Sequence, residues 1–202
     1  MRRAAMKNTL QNVGARLCDI ATARSHRNMP KMRATASTEQ QQGFFARLFG
    51  KRDDGLGTLY AAMVAEARAP KWYATYDVPD TVDGRFDMVS LVLSLVLLRL
   101  EREHREIDSV RLTEAFIADM DGQIREIGFG DLVVGKQVGG ILAVLGGRLG
   151  AYRAGFDVET LGRTLWRGAS PDNAERALAE IEALQQRIDA VPLDALLAGA
   201  LG

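Results

Sequence analysis

The sequence predicts an all-α fold: one compact, bundle-like domain of about seven helices with a disordered basic tail at the N-terminus. Three observations carry this expectation. The first is the run FDMVSLVLSLVLLRL at Phe86–Leu100, in which 11 of 15 residues are apolar without alternation. An ordinary surface helix keeps one polar face and a half-buried strand alternates, so this run reads as a helix covered on every side. The second is helical periodicity in most other segments, with no convincing strand pattern and no long repeat. The third is the composition of residues 1–43. They hold eight Lys/Arg (Arg2, Arg3, Lys7, Arg16, Arg24, Arg27, Lys31, Arg33) against Asp19 and Glu39, with few large apolar residues, and cannot support a core.

The chain of 202 residues is long enough for one sizeable helical domain plus a tail. Its 26 basic and 26 acidic residues balance, which removes a global electrostatic argument for nucleic acid, although 44–202 alone carries 18 basic to 24 acidic residues, a net −6. Cys18 has no internal disulfide partner, as expected in a reducing compartment. No apolar run approaches the roughly 18 residues of a spanning helix, and Met88–Leu98 covers only about 16 Å.

In chain order, the Arg-rich, acid-poor 1–43 has the character of a transit peptide, a functional basic arm, or a stretch upstream of the true start. GFFARLFGKR at Gly43–Arg52 sets Phe44, Phe45, Leu48 and Phe49 opposite Arg47, Lys51 and Arg52. It reads as a first helix on the core or as a membrane-surface contact. Leu56–Ala69 has Leu59, Tyr60, Met63, Val64 and Ala67 on one face, and Pro70 ends it. Trp72, Tyr73 and Tyr76 fall in an irregular connector, as a core lid or a peptide-binding surface.

VPDTVDGRFD (Val78–Asp87) is a turn in which Gly84 permits an unusual backbone angle and Asp80, Thr81 or Asp83 caps. The central helix follows it. EREHREID (Glu101–Asp108) reads as a helix end and solvated turn, with Glu101 and Arg105 able to pair. Val110–Ile127 is a helix with Leu112, Ala115, Phe116, Met120, Ile124 and Ile127 inward, and GFGD at Gly128–Asp131 breaks it.

Leu132–Phe156 carries small residues every four positions (Gly135, Gly139, Ala143, Gly147, Ala151). This stripe admits a neighbouring backbone at close range. Asp157–Arg167 is a short helix stopped by Gly168. Ser170-Pro171 signals the start of the next helix, whose inward residues are Leu178, Ile181, Leu184 and Ile188. A short helix over Leu193–Leu201 follows Pro192.

No coherent catalytic set emerges. Gly130–Gln137, GDLVVGKQ, matches the first seven positions of a phosphate loop, but the eighth is Gln137 where Ser or Thr binds magnesium, and a helix precedes it where a strand is needed. Glu101 and His104 form one half of a Glu-x-x-His metal motif whose second half is missing; the other histidine, His26, lies in the tail. Ser90 and Ser94 sit inside the apolar run with no histidine partner, so their hydroxyls are expected to bond back to the preceding turn. Asp119 and Asp121, two apart, point to different sides of a helix. The expectation is no catalytic residue, no cofactor and no metal.

Four motifs in order nevertheless point to a family: VPDTVDGRFD, DMDGQIREIGFGD (Asp119–Asp131), Gly135-Lys136 and GRLGAY (Gly147–Tyr152), led by LYAAMVAEARAPKWYATY from Leu59. Together they resemble the ubiquinol–cytochrome c chaperone family, over 59–156. The Gly135–Gly150 stretch departs from the pattern in having few basic residues. The resemblance implies an all-helical, non-enzymatic factor for assembly of the bc1 complex (respiratory complex III). Its partner is newly synthesised cytochrome b. Mitochondrial relatives work beside a small partner protein at the ribosome exit. The compact length resembles the bacterial branch, cytoplasmic and peripheral to the inner membrane, whereas a transit peptide at 1–43 implies mitochondria.

Charges are densest around the breaks that flank the central helices. Asp83, Arg85, Asp119, Asp121, Arg125, Glu126, Asp131, Lys136 and Arg148, with an apolar groove near Trp72 and Tyr73, are the expected partner-binding residues. The plainer reading is capping by Asp131 and neutralisation of Asp119 or Asp121 by Arg85 or Arg125. Two rival functions rest on other residues. One is a helical nucleotide- or metal-dependent enzyme on Gly130–Lys136 and Glu101/His104. The other is a membrane-surface adaptor on Phe44–Arg52.

Overall fold

A computed structural model describes residues 55–126, 131–169 and 171–202, with backbone alone for 121–138. The expected tail at 1–43, the amphipathic Gly43–Arg52, the GFG break and Ser170 lie outside the described residues. Among these there are eight helices and no strand. They are α1 (Leu56–Ala67), α2 (Pro70–Ala74), α3 (Val82–Arg102), α4 (Glu106–Glu126), α5 (Asp131–Ala154), α6 (Val158–Thr164), α7 (Ala174–Ala190) and α8 (Leu193–Leu197). They fall into two units. One contains 117–147 and the other 55–116 with 148–202.

The second unit is built around α3. Every residue from Asp87 to Leu98 is buried, and Leu100 with them, as the all-round apolar pattern requires. Helices α1 and α7 pack on α3, α6 packs on α7, and α8 packs on α1. Burying each aliphatic side chain of α3 contributes about 1.5–3 kcal/mol, against about 1–2 kcal/mol per residue of ordering entropy, so the helix depends on its neighbours. Ser94 Oγ donates to the Ser90 carbonyl at 2.7 Å, the expected back-bond, while Ser90 Oγ is buried with no partner.

Several local expectations change. Helix α1 ends at Ala67, and Pro70 opens α2 at its first position, where proline has no amide hydrogen to lose. Trp72 and Tyr73 are therefore helical. Trp72 Nε1 donates to the Glu66 carbonyl at 2.9 Å and Tyr73 Oη to the Ala67 carbonyl at 2.8 Å. Tyr73 thereby satisfies a carbonyl that the end of α1 leaves open, and Trp72 adds a second donor to the Glu66 carbonyl, which already accepts from the Ala69 amide at 3.0 Å.

Gly84 is an ordinary helical residue. A Cβ there would stand 1.9 Å from the Pro79 carbonyl oxygen, so the turn needs its missing side chain, not an unusual angle. The cap is Thr81, whose Oγ1 accepts from the Gly84 amide at 3.1 Å. Helix α4 begins at Glu106, four residues before the expected Val110.

On α5, a Cβ added at Gly139, Gly140, Gly146, Gly147 or Gly150 would meet no atom within 4 Å. Among the described residues the small-residue stripe thus admits no close backbone. Asp157 caps α6 by accepting from the Thr160 amide at 2.6 Å, and that bond holds its carboxyl below the ordinary value. Helix α7 starts at Ala174, where the sequence places it, three residues beyond the Ser170-Pro171 start signal. Helix α8 stops at Leu197, short of the expected Leu201.

In the unit containing 117–147, Met120 and Leu145 are buried, while Leu142 and Val144 are each 40% exposed. Asp119, Asp121, Arg125 and Glu126 lie on the last turns of α4, and Asp131 and Lys136 on the first turns of α5. The stretch Asp131–Gln137 is continuous helix, not the loop a phosphate nest requires.

Candidate functional site

The first turns of α3 bring one charge into the second unit's core. Asp87, one turn into α3, is fully buried. Arg148 near the end of α5 and Arg167 after α6 both reach it. Arg148 Nη2 contacts Oδ1, Arg148 Nη1 donates to the Asp87 carbonyl at 3.3 Å, and Arg167 Nε donates to Oδ2 at 3.0 Å. Arg167 adopts φ 52, left-handed, to make this approach, and also pairs with Asp83 at 3.2 Å. The Arg148 guanidinium lies 5.5 Å from the centre of the Phe86 ring, and Phe86 meets Phe116 at 5.9 Å.

A buried carboxylate is tolerable only when paired and hydrogen-bonded. The two guanidiniums fulfil that condition and tie α3 to α5 and to the loop after α6. Beside them Tyr152 is buried. Burial pushes the phenol pKa up, while Thr164 and Arg148 pull against it.

The expected partner-binding residues are thus dispersed into different environments. Trp72 is fully buried, the position of a core lid. Its ring packs at 5.5 Å from Tyr76 and under the Lys71 ammonium at 4.8 Å. Tyr73 is half-buried, its hydroxyl occupied by Ala67. Burial raises its pKa, with Arg85 opposing.

Arg85 is exposed and bonds Asp80 at 2.8 Å. Asp83 is exposed and serves Arg167. Arg148 belongs to the Asp87 clasp. Asp119 is half-buried and engaged in an interaction of its own. The side chains of Asp121, Arg125, Glu126, Asp131 and Lys136 lie outside the described residues. Glu101 bonds Arg153 at 2.7 Å, not Arg105, which turns to Asp108.

Sequence reasoning missed Asp87 and Arg167, and it missed an apolar groove of about 460 Å³ at the other end of α3. Leu97, Val110 and Leu149, from α3, α4 and α5, line it, and all its residues belong to the same unit. Among the described residues, no helix is long and apolar enough to cross a membrane.

The sequence profile of the family described as Ubiquinol-cytochrome C chaperone matches residues 74–201. No curated protein matches the chain. Among solved structures, the crystal structure of the Cbp3 homolog from Brucella abortus is similar, with a TM-score of 0.63 and 26% identity. The likeness covers 80% of this chain and 91% of that one. The profile match runs through α6, α7 and α8, beyond Phe156 where the sequence motifs stop, and begins at Ala74, not Leu59. A match over more than half the length, joined to a shared helical fold, leads to one conclusion: the chain belongs to the ubiquinol–cytochrome c chaperone family.

Proposed function

We propose that this protein is a non-enzymatic chaperone that holds newly synthesised cytochrome b during assembly of the bc1 complex. The observation that carries the reading is the family match over residues 74–201. Physical chemistry supports it in kind. The ion pairs among the described residues serve packing and helix ends, and the described titratable groups of the second unit do not assemble into an acid–base pair around a cleft. The work falls to surfaces rather than to reacting atoms.

The proposal extends to a small partner protein, to contact with the ribosome exit region, and to a cytoplasmic position peripheral to the inner membrane. Asp119, Asp121, Arg125, Glu126, Asp131 and Lys136 are part of it as a charged rim that sets the register of a bound helix.

The test is crosslinking in cells followed by identification of the attached chains, together with bc1 recovery in a deletion strain. Cytochrome b attached to the chaperone, with bc1 complex lost on deletion, is the expected result. Normal bc1 content in the deletion strain, with no cytochrome b attached, refutes the reading. Charge reversal at Asp121, Arg125, Asp131 or Lys136 is expected to reduce bc1 recovery with the melting temperature unchanged.

A further inference from the structure

The groove at the end of α3 is apolar at its floor and acidic at its rim. Leu97 on α3 is 6% exposed and closes the bottom. Val110 on α4 is 56% exposed and forms a wall; Ile107, one turn earlier on the same helix, is 72% exposed. Ile107 and Val110 together line a second hollow of about 340 Å³. Two large aliphatic side chains three apart thus form an open apolar ridge that continues the groove.

The rim of the main groove carries Glu101, Glu106 and Glu114 against Arg153, which pairs with Glu101, and the second hollow adds Arg111, so the rim keeps an acidic excess at Glu106 and Glu114. Such a rim repels anionic lipid headgroups and acidic segments, and attracts an apolar segment flanked by Lys or Arg. Membrane-protein helices carry that charge pattern at their cytoplasmic ends.

We propose that this groove receives the basic-flanked end of an apolar client helix, laid against Leu97, Val110 and Leu149, with its Lys or Arg residues on the glutamates. The inference rests on the chaperone reading and names where on the described surface the client sits. Affinity comes from the apolar contacts, and orientation from the rim.

The probe is a synthetic Leu/Ala-rich helical peptide with two lysines at one end, compared with the same peptide ending in two glutamates, titrated into the full chain. The lysine form is expected to bind at least tenfold tighter and to weaken as salt rises. Val110→Asp, at an exposed position that leaves the melting temperature unchanged, is expected to reduce binding at least tenfold. Glu106→Lys with Glu114→Lys is expected to reverse the preference between the peptides. Equal binding of both peptides, or undiminished binding by Val110→Asp, overturns the proposal. So does a wild-type dimer that Val110→Asp converts to monomer, because the occupant is then a second copy.

A photo-crosslinker placed at Val110, and separately at Glu182 on α7, is then compared in cells. Cytochrome b recovered at Val110 supports the groove. Cytochrome b recovered only at Glu182 rejects the groove while the chaperone reading stands. Its absence from both positions, with normal bc1 content in the deletion strain, rejects the reading itself.

Discussion

The fully buried carboxylate of Asp87 is gripped by the guanidinium of Arg148, 61 residues further along the chain, and that guanidinium's side chain is itself only 11% exposed. Neither charge has an alternative in water once the core has closed. The pair therefore behaves differently from the exposed ion pairs around it, which are worth about 0–1 kcal/mol.

Arg148→Ala is expected to lower stability by about 3 kcal/mol, the lower end of the range for breaking a buried pair, because Arg167 stays on Asp87. Arg85→Ala, whose partner Asp80 is exposed, is expected to change stability by less than about 1 kcal/mol. Denaturant midpoints measure both. Equal effects would show that burial does not separate the two pairs. Loss of bc1 assembly in Arg148 variants should follow their loss of stability.

Gly84→Ala sets two effects against each other. Alanine gains about 1 kcal/mol in helix propensity over glycine. The new Cβ stands 1.9 Å from the Pro79 carbonyl, which is backbone and cannot rotate away. Overpacking of this kind costs about 1–3 kcal/mol, so the clash wins and the melting temperature falls. A melting temperature that rises would show that the turn yields freely.

Leu95→Ala, at the 1% exposed middle of α3, is expected to cost about 2–5 kcal/mol. A calorimetric melt unchanged by this substitution would remove α3 from the centre of the unit.

Stability should also fall in alkali. The Tyr152 phenol has its pKa raised above 10.0 by burial. Lys71 is raised above 10.5, because its bonds to Glu180 and Glu66 outweigh the opposing effect of burial. A raised folded value means stabilisation that is complete below the unfolded pKa and lost as pH rises through the folded one. The window thus begins near pH 10. Tyr152→Phe removes the phenol's share of this alkaline loss and should leave stability at neutral pH within about 1 kcal/mol. Unfolding midpoints at pH 8, 10 and 11 test both statements.

The helical fold was legible because burial on all sides leaves a one-dimensional trace: Leu91, Val92, Leu93 and Leu97 point around the helix at about 100° per residue and cannot share one face. Asp87 was hidden by the same logic. A charge at the edge of an apolar run reads as its boundary, and the guanidiniums that neutralise it come from 61 and 80 residues away. Gly84 was recognised as special for the wrong reason, since sequence does not separate an unusual angle from a close approach. Trp72 was placed in a connector because proline was read as a terminator, when the same residue also opens helices. The groove left no local signal: Leu97, Val110 and Leu149 come from three helices, and Val110 carries an aliphatic side chain on the exposed side of α4.

The burial of α3 by α7 also has a consequence for the chain's own birth. Helix α3 ends at Arg102, and α7 is not complete until Ala190, about 90 residues later. At about 5–20 residues per second, translation leaves that interval open for roughly 4–18 seconds. Throughout it the nascent chain displays Leu91 to Leu98 with α7, one of the helices that pack on them, unmade. A member of a chaperone family thus passes through an exposed condition of its own before it is complete.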